Sequence, residues 1–122
     1  MANPHNDLFW ERRQQEGAEI FRISGSFCLL SPDKLDEFRE VAKGLDTKRC
    51  ILDMREVPYM DSAGMGILAL IARYAVANDA ALVVVPSAQV RKLITSTGMD
   101  RALLFADSIP AALDAKAEPP AE

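Results

Sequence analysis

The chain has 122 residues, 49% of them apolar and 26% charged, enough for one domain with its own core and ordinary for a globular protein. A net charge of −4 with dispersed Lys and Arg argues against direct nucleic-acid binding, which needs a clustered positive field. The longest apolar run, 65–72, is too short to cross a bilayer, and the start lacks a secretory pattern, so the cytoplasm is the default expectation.

Residues 1–7 and 116–122 read as flexible termini, the second carrying Pro119-Pro120, which leaves 8–115 as a single domain. Segments 8–13 and 18–24 are extended candidates around the turn Gln14-Gln15-Glu16-Gly17. Ile20 alternates with polar Glu19 and Arg22, as a strand with one buried face requires. Gly25 breaks this strand, and Phe27-Cys28-Leu29-Leu30 suggests a short further one. Ser31-Pro32-Asp33 opens a helix: serine caps, proline suits the first turn, and the acid complements the dipole. Leu35, Phe38, Ala42 and Leu45 recur at helical spacing, and Gly44 can end the helix.

Residues 49–54 form a short apolar run consistent with a buried strand, followed by a loop over 56–59. The next helical pattern runs over 67–77, with Leu68, Ile71, Ala72 and Ala75 on one face and Asn78-Asp79 as its stop. Residues 81–85 are the strongest strand in the chain, closed by Pro86. Ser87 caps a helix carrying Val90, Leu93 and Ile94 and ending at Gly98. Leu103-Leu104-Phe105 is a short strand or turn, and Ser108-Ile109-Pro110 opens a last helix through Leu113. The pattern predicts an α/β domain: a mixed, partly parallel β-sheet with flanking helices and an N-terminal β-hairpin.

Catalytic constellations are missing from this pattern. The one histidine, His5, lies in the loose terminus, so a Ser-His-Asp triad lacks its base. Gly-x-Ser-x-Gly, a P-loop and a dinucleotide fingerprint are absent. Asp53, Glu56 and Asp61 lie close in sequence, but carboxylates at strand ends are expected to face solvent rather than a metal. Cys28 and Cys50 sit in apolar surroundings and read as reduced core thiols. The expectation is a protein that is not an enzyme and holds no metal or cofactor.

The segment Asp61-Ser62-Ala63-Gly64-Met65-Gly66 stands between the 50–54 strand and the helix. A hydroxyl there meets unpaired backbone N–H groups and a positive helix dipole, so a phosphate on Ser62 would be well placed. Capping by Asp61 or Ser62 explains the same residues. Gly64 and Gly66 cost helix stability, and they serve either close packing on the sheet or close approach of a partner. Ile67, Leu70 and Tyr74 fall on a different side from the core-facing residues, which points to a partner surface near Met65 and the helix start.

Taken in order, these pieces resemble a STAS domain, specifically the bacterial anti-sigma-factor antagonists, over 9–115. The landmarks are Ile23-Ser24-Gly25, Ile51-Leu52-Asp53-Met54, Val57-Pro58-Tyr59-Met60-Asp61-Ser62-Ala63-Gly64-Met65-Gly66, the strand at 82–85, and Val90-Arg91-Lys92-Leu93 through Thr97-Gly98-Met99. The resemblance implies a partner switch. The unmodified antagonist binds an anti-sigma factor with serine kinase activity and frees the sigma factor. Phosphorylation of the motif serine, here Ser62, ends the complex, and a PP2C-type serine phosphatase restores it. Cys28, Tyr59, Asp61, Ser62, Ala63, Gly64, Met65, Gly66 and Ile67 would form the partner-binding surface, without nucleic-acid contact or membrane insertion. The chain departs from the pattern in two places. Ser26 and Cys28 stand where many members carry Glu and Asp, and Ala63 replaces the second serine of Asp-Ser-Ser-Gly. The first departure keeps an alternative alive: a STAS scaffold without a kinase switch, as in a stressosome-type assembly or a lipid-transport ABC complex.

Overall fold

The computed structural model describes residues 8–27, 32–44, 47–101 and 103–115. Its first turn is tighter than the sequence pattern suggests. Strand β1 (Phe9–Gln15) and strand β2 (Ala18–Ser24) pair antiparallel from Phe9↔Ser24 to Gln15↔Ala18, so Gln14 and Gln15 belong to the strand. Only Glu16 and Gly17 form the turn, with φ of 51° and 80°. Two consecutive residues with positive φ match the right-handed twist of the flanking strands, and glycine takes the second place without strain.

Strands β3 (Arg49–Glu56), β4 (Ala81–Pro86) and β5 (Leu104–Phe105) complete a five-stranded sheet in the order β1-β2-β3-β4-β5. All pairings beyond the hairpin are parallel. Helices α1 (Pro32–Lys43), α2 (Ser62–Ala77) and α3 (Ala88–Thr97) supply the crossovers, and α4 (Ile109–Asp114) closes the described chain. The predicted mixed, partly parallel sheet with its N-terminal hairpin and flanking helices is the observed architecture.

The helices divide between the two faces. Phe21, Ile23, Leu52, Met54, Leu82 and Val84 form one core with Phe38 of α1, Leu68 and Ile71 of α2, and Ile94 of α3. Ile20, Ile51, Val83 and Val85 point to the other face and meet Ile109 and Ala112 of α4. On the larger face Phe38 packs edge-on against Trp10, Phe21 and Phe27, with ring centroids 5.2–5.9 Å apart. This geometry is favourable for aromatic quadrupoles.

Two expectations about burial change. Strand β2 does not bury one face alone: Glu19, Ile20, Phe21 and Ile23 are all buried. A strand lying inside a sheet with helices on both faces loses its polar side, which alternation in sequence cannot reveal. Asp53 likewise does not face solvent. It is only 8% exposed, and Arg55 holds it through two 2.9 Å hydrogen bonds from Nε and Nη2. Cys50 is a buried free thiol whose pKa burial pushes up to about 12, as suits an inert core residue. Cys28 and His5 lie outside the described residues, as do the terminal segments 1–7 and 116–122.

Glu19 is the deepest charge among the described residues. Arg12 Nη2 and Gln14 Nε2 both donate to its Oε1, at 3.0 and 3.2 Å. The Arg12 hydrogen bond holds the Glu19 carboxyl below the usual range, against the opposing push of burial. For Asp53, burial pushes up but the hydrogen bonds from Arg55 outweigh it, and the net direction is also down. Carboxyls depressed in the folded state stabilise it above their unfolded pKa, and this contribution disappears as pH falls through the folded values. The urea midpoint should therefore hold steady near neutrality and drop below about pH 4, the ordinary carboxylate range. Glu19→Gln should flatten that drop. An equally steep drop in the variant would remove Glu19 from the explanation.

Candidate functional site

The chain leaves β3 over residues 57–60 and enters α2, and three contacts hold this passage. Val57 N–H donates to Met54 O at 3.1 Å, and Val57 itself is buried. Ser87 Oγ donates to Val57 O at 2.6 Å while accepting from Val90 N–H at 3.2 Å, so one hydroxyl ties the passage to the start of α3. Met60 bridges Phe27 in parallel, with Phe27 N–H donating to Tyr59 O at 2.9 Å. The strand expected over 27–30 is described only at this bridge, residues 28–30 lying outside the described set.

Helix α2 begins at Ser62, five residues before the helical pattern expected from Ile67. Asp61 is its cap. Its backbone is extended, with φ −108° and ψ −171°, and its Oδ1 accepts from Gly64 N–H at 3.1 Å. The structure thereby separates the two roles that Asp61 and Ser62 shared in sequence. Ser62 occupies the first helical position, is exposed, and its hydroxyl makes no hydrogen bond among the described residues. That turn carries no acidic residue of its own, and the Asp61 carboxylate at the cap meets the N-terminal partial charge.

The two glycines also separate. A Cβ on Gly64 would land on the Phe27 carbonyl oxygen and come within 2.8 Å of Met60 Cγ and the Phe27 ring. Gly64 is thus a packing residue that lets the helix start lie against the Phe27–Met60 bridge. A Cβ on Gly66 would meet nothing within 4 Å, and Gly66 is exposed. Only this second glycine leaves the surface bare.

Ala63, Met65 and Ile67 are half-buried and lean on the larger core. Tyr59 is 53% exposed. The helix turn therefore presents Ser62, Gly66 and Tyr59 to solvent, with the edges of Met65 and Ile67 beside them. Sequence reasoning missed the neighbouring groove of about 370 Å³, lined by Pro58, Tyr59, Met60, Gln89, Lys92, Leu93 and Ser96. Gln89, Lys92, Leu93 and Ser96 follow helical spacing along α3, a signal that was available in the sequence. Farther along α2, Leu70, Tyr74 and Val76 line a second groove with Met99, and Val76 is 74% exposed.

The three neighbouring carboxylates go to separate tasks. Asp53 pairs with Arg55, Glu56 pairs with Arg22 at 3.2 Å, and Asp61 caps α2. Among the described residues no three His, Cys, Asp or Glu side chains gather as a metal site, and no helix is long and apolar enough to cross a membrane.

Residues 9–112 match the model of the STAS domain. Similar solved structures include an anti-sigma factor antagonist from Mycobacterium paratuberculosis, 17% identical, covering 93% of this chain and 97% of that one at a TM-score of 0.78. Another is the Bacillus cell fate determinant SpoIIAA in the phosphorylated form, 17% identical over 87% and 97% of the two chains at a TM-score of 0.65. A sulfate transporter family protein from Wolinella succinogenes is 28% identical over 82% and 84%, with a TM-score of 0.69. At 17% identity the first two likenesses establish a shared fold.

Proposed function

Because the chain belongs to the STAS domain family, we propose that it is an anti-sigma-factor antagonist switched by phosphorylation of Ser62. In its unmodified form it binds an anti-sigma factor with serine kinase activity and releases a sigma factor. A PP2C-type serine phosphatase reverses the modification. The working unit is residues 8–115, and the docking surface is the α2 start, with Tyr59, Asp61, Ser62, Ala63, Gly64, Met65, Gly66 and Ile67. Cys28 is assigned to that surface from its sequence position.

The observation that carries this reading is the division of labour between Asp61 and Ser62. Because Asp61 makes the cap, Ser62 can be modified without removing a hydrogen bond the helix depends on. A phosphoryl group adds about −1.5 to −2 charges at neutral pH and sits well at a helix N-terminus. The same charge under a docked partner must be desolvated, which is unfavourable without a matching cation. One modification can then abolish binding and leave the fold intact. SpoIIAA, which shares the fold, is known in a phosphorylated form, and this supports the reading.

Incubation with ATP and a lysate of its own cells should add the mass of one phosphoryl group to the intact protein. Ser62→Ala should show no gain, and a gain that persists in this variant would move the acceptor elsewhere.

The 28% identity with the Wolinella succinogenes protein favours a second reading, a STAS module that docks a transporter or scaffold without a kinase. Cys28, in the place of the acid that many antagonists carry, fits that reading as well. Genomic neighbours separate the two: kinase and phosphatase genes on one side, transporter genes on the other.

A further inference from the structure

The sheet has two edges of unequal length. Strand β5 has two residues and offers little to pair with, whereas β1 has seven, all in unbroken register with β2. The segment FWERRQQ contains no proline and no bulge, two of the common ways of closing an edge. Among the described residues nothing pairs with its outer side.

On the α4 face, β1 and β2 border a charged trough of about 520 Å³. Most of its charges are already matched. Arg22 is tied to Glu56 and Arg55 to Asp53, and Arg12, whose side chain leaves β1 on the opposite face, is tied to Glu19. The side chains of Glu11 and Arg13, on β1 itself, make no ion pair or hydrogen bond among the described residues. They are exposed, lie two residues apart, and point to the same face.

The geometry points to a second copy of this chain as the occupant of this edge, with two β1 strands pairing antiparallel about a two-fold axis at Arg12. In that register Glu11 of each copy stands opposite Arg13 of the other, so two Glu11–Arg13 pairs form and every leftover charge is matched once. Directly opposed side chains of opposite charge stabilise an antiparallel pair, and like charges destabilise it. Centring the pair on Glu11 sets glutamate on glutamate, and centring it on Arg13 sets arginine on arginine. The charges thus select one register. On the other face the two Arg12 side chains meet, but each is already drawn into its own sheet by Glu19. Phe9, 58% exposed at the strand end, gains the stem of the opposite Gln15. Strand β2 separates β1 from β3, so the pairing leaves Ser62 accessible and does not depend on the proposed switch.

Sedimentation of the full chain from micromolar to millimolar concentration tests this. The mass should rise from 13.4 kDa toward twice that value. Glu11→Arg should weaken the dimer by roughly tenfold or more, because both attractions become repulsions. The exchange Glu11→Arg with Arg13→Glu should restore it, since each glutamate again opposes an arginine. Circular dichroism confirms that each variant is folded. A monomer at every concentration overturns the proposal, and so does a dimer that the single reversal leaves unchanged or the double exchange fails to rescue.

Discussion

Ser62→Asp is expected to lower the affinity for the proposed anti-sigma partner about 100-fold, and Ser62→Ala to leave it within about twofold. The asymmetry comes from where the side chain sits. Ser62 makes no intramolecular hydrogen bond among the described residues, so losing its hydroxyl leaves no polar group behind. An added carboxylate sits comfortably at the helix start in the free protein. In the complex it must shed water against the partner. A 100-fold loss corresponds to about 2.7 kcal/mol, modest for an unpaired charge in an interface. Titration calorimetry with the partner recovered by pull-down reads both variants, and thermal unfolding should show both near wild-type stability. Equal binding by the two would sink the phosphorylation switch and favour the scaffold reading.

Gly64→Ala should destabilise the fold by about 2–3 kcal/mol, whereas Gly66→Ala should stabilise it by about 0.5–1 kcal/mol. Both changes gain helix propensity. At position 64 the gain is overwhelmed, because the new methyl meets a backbone carbonyl that cannot rotate away. The Phe27–Met60 bridge would have to open to admit it. At position 66 the methyl enters open space. For a domain of this size the loss at Gly64 corresponds to a fall in melting temperature of roughly 10 °C. Opposite signs at two glycines two residues apart are the signature of the arrangement. If Gly64→Ala melts with wild type, the helix start is not seated on the bridge as described.

Much of the architecture is legible where local chemistry decides it. Ser87 and Ser108 announce helix starts, Gly98 adopts the left-handed conformation that closes α3, and the apolar run at 82–85 is buried throughout. What stays hidden depends on residues distant in sequence. Asp61 and Ser62 are equally good caps on paper, and only the backbone path out of β3 gives the task to Asp61. Gly64 needs Phe27, 37 positions away, before its purpose shows. Glu19 looks like the wet side of a strand until Arg12, Gln14 and the helices above it are in place. The α2 start had the same ambiguity, since the serine-glycine segment breaks helical periodicity although its backbone is helical from Ser62. The motif was thus readable as a place, and the roles within it required the fold.

The order of the strands in space repeats their order along the chain. During synthesis each strand after the first emerges beside a neighbour already made, and none must wait for a later one to fill a gap. Proteins whose pairings are close in sequence lose less loop entropy before contacts form, and they tend to fold faster. The last strand adds only Leu104 and Phe105 to β4. The sheet can therefore be almost complete once β4 has formed, before β5 is added, with β1 as a long edge still open.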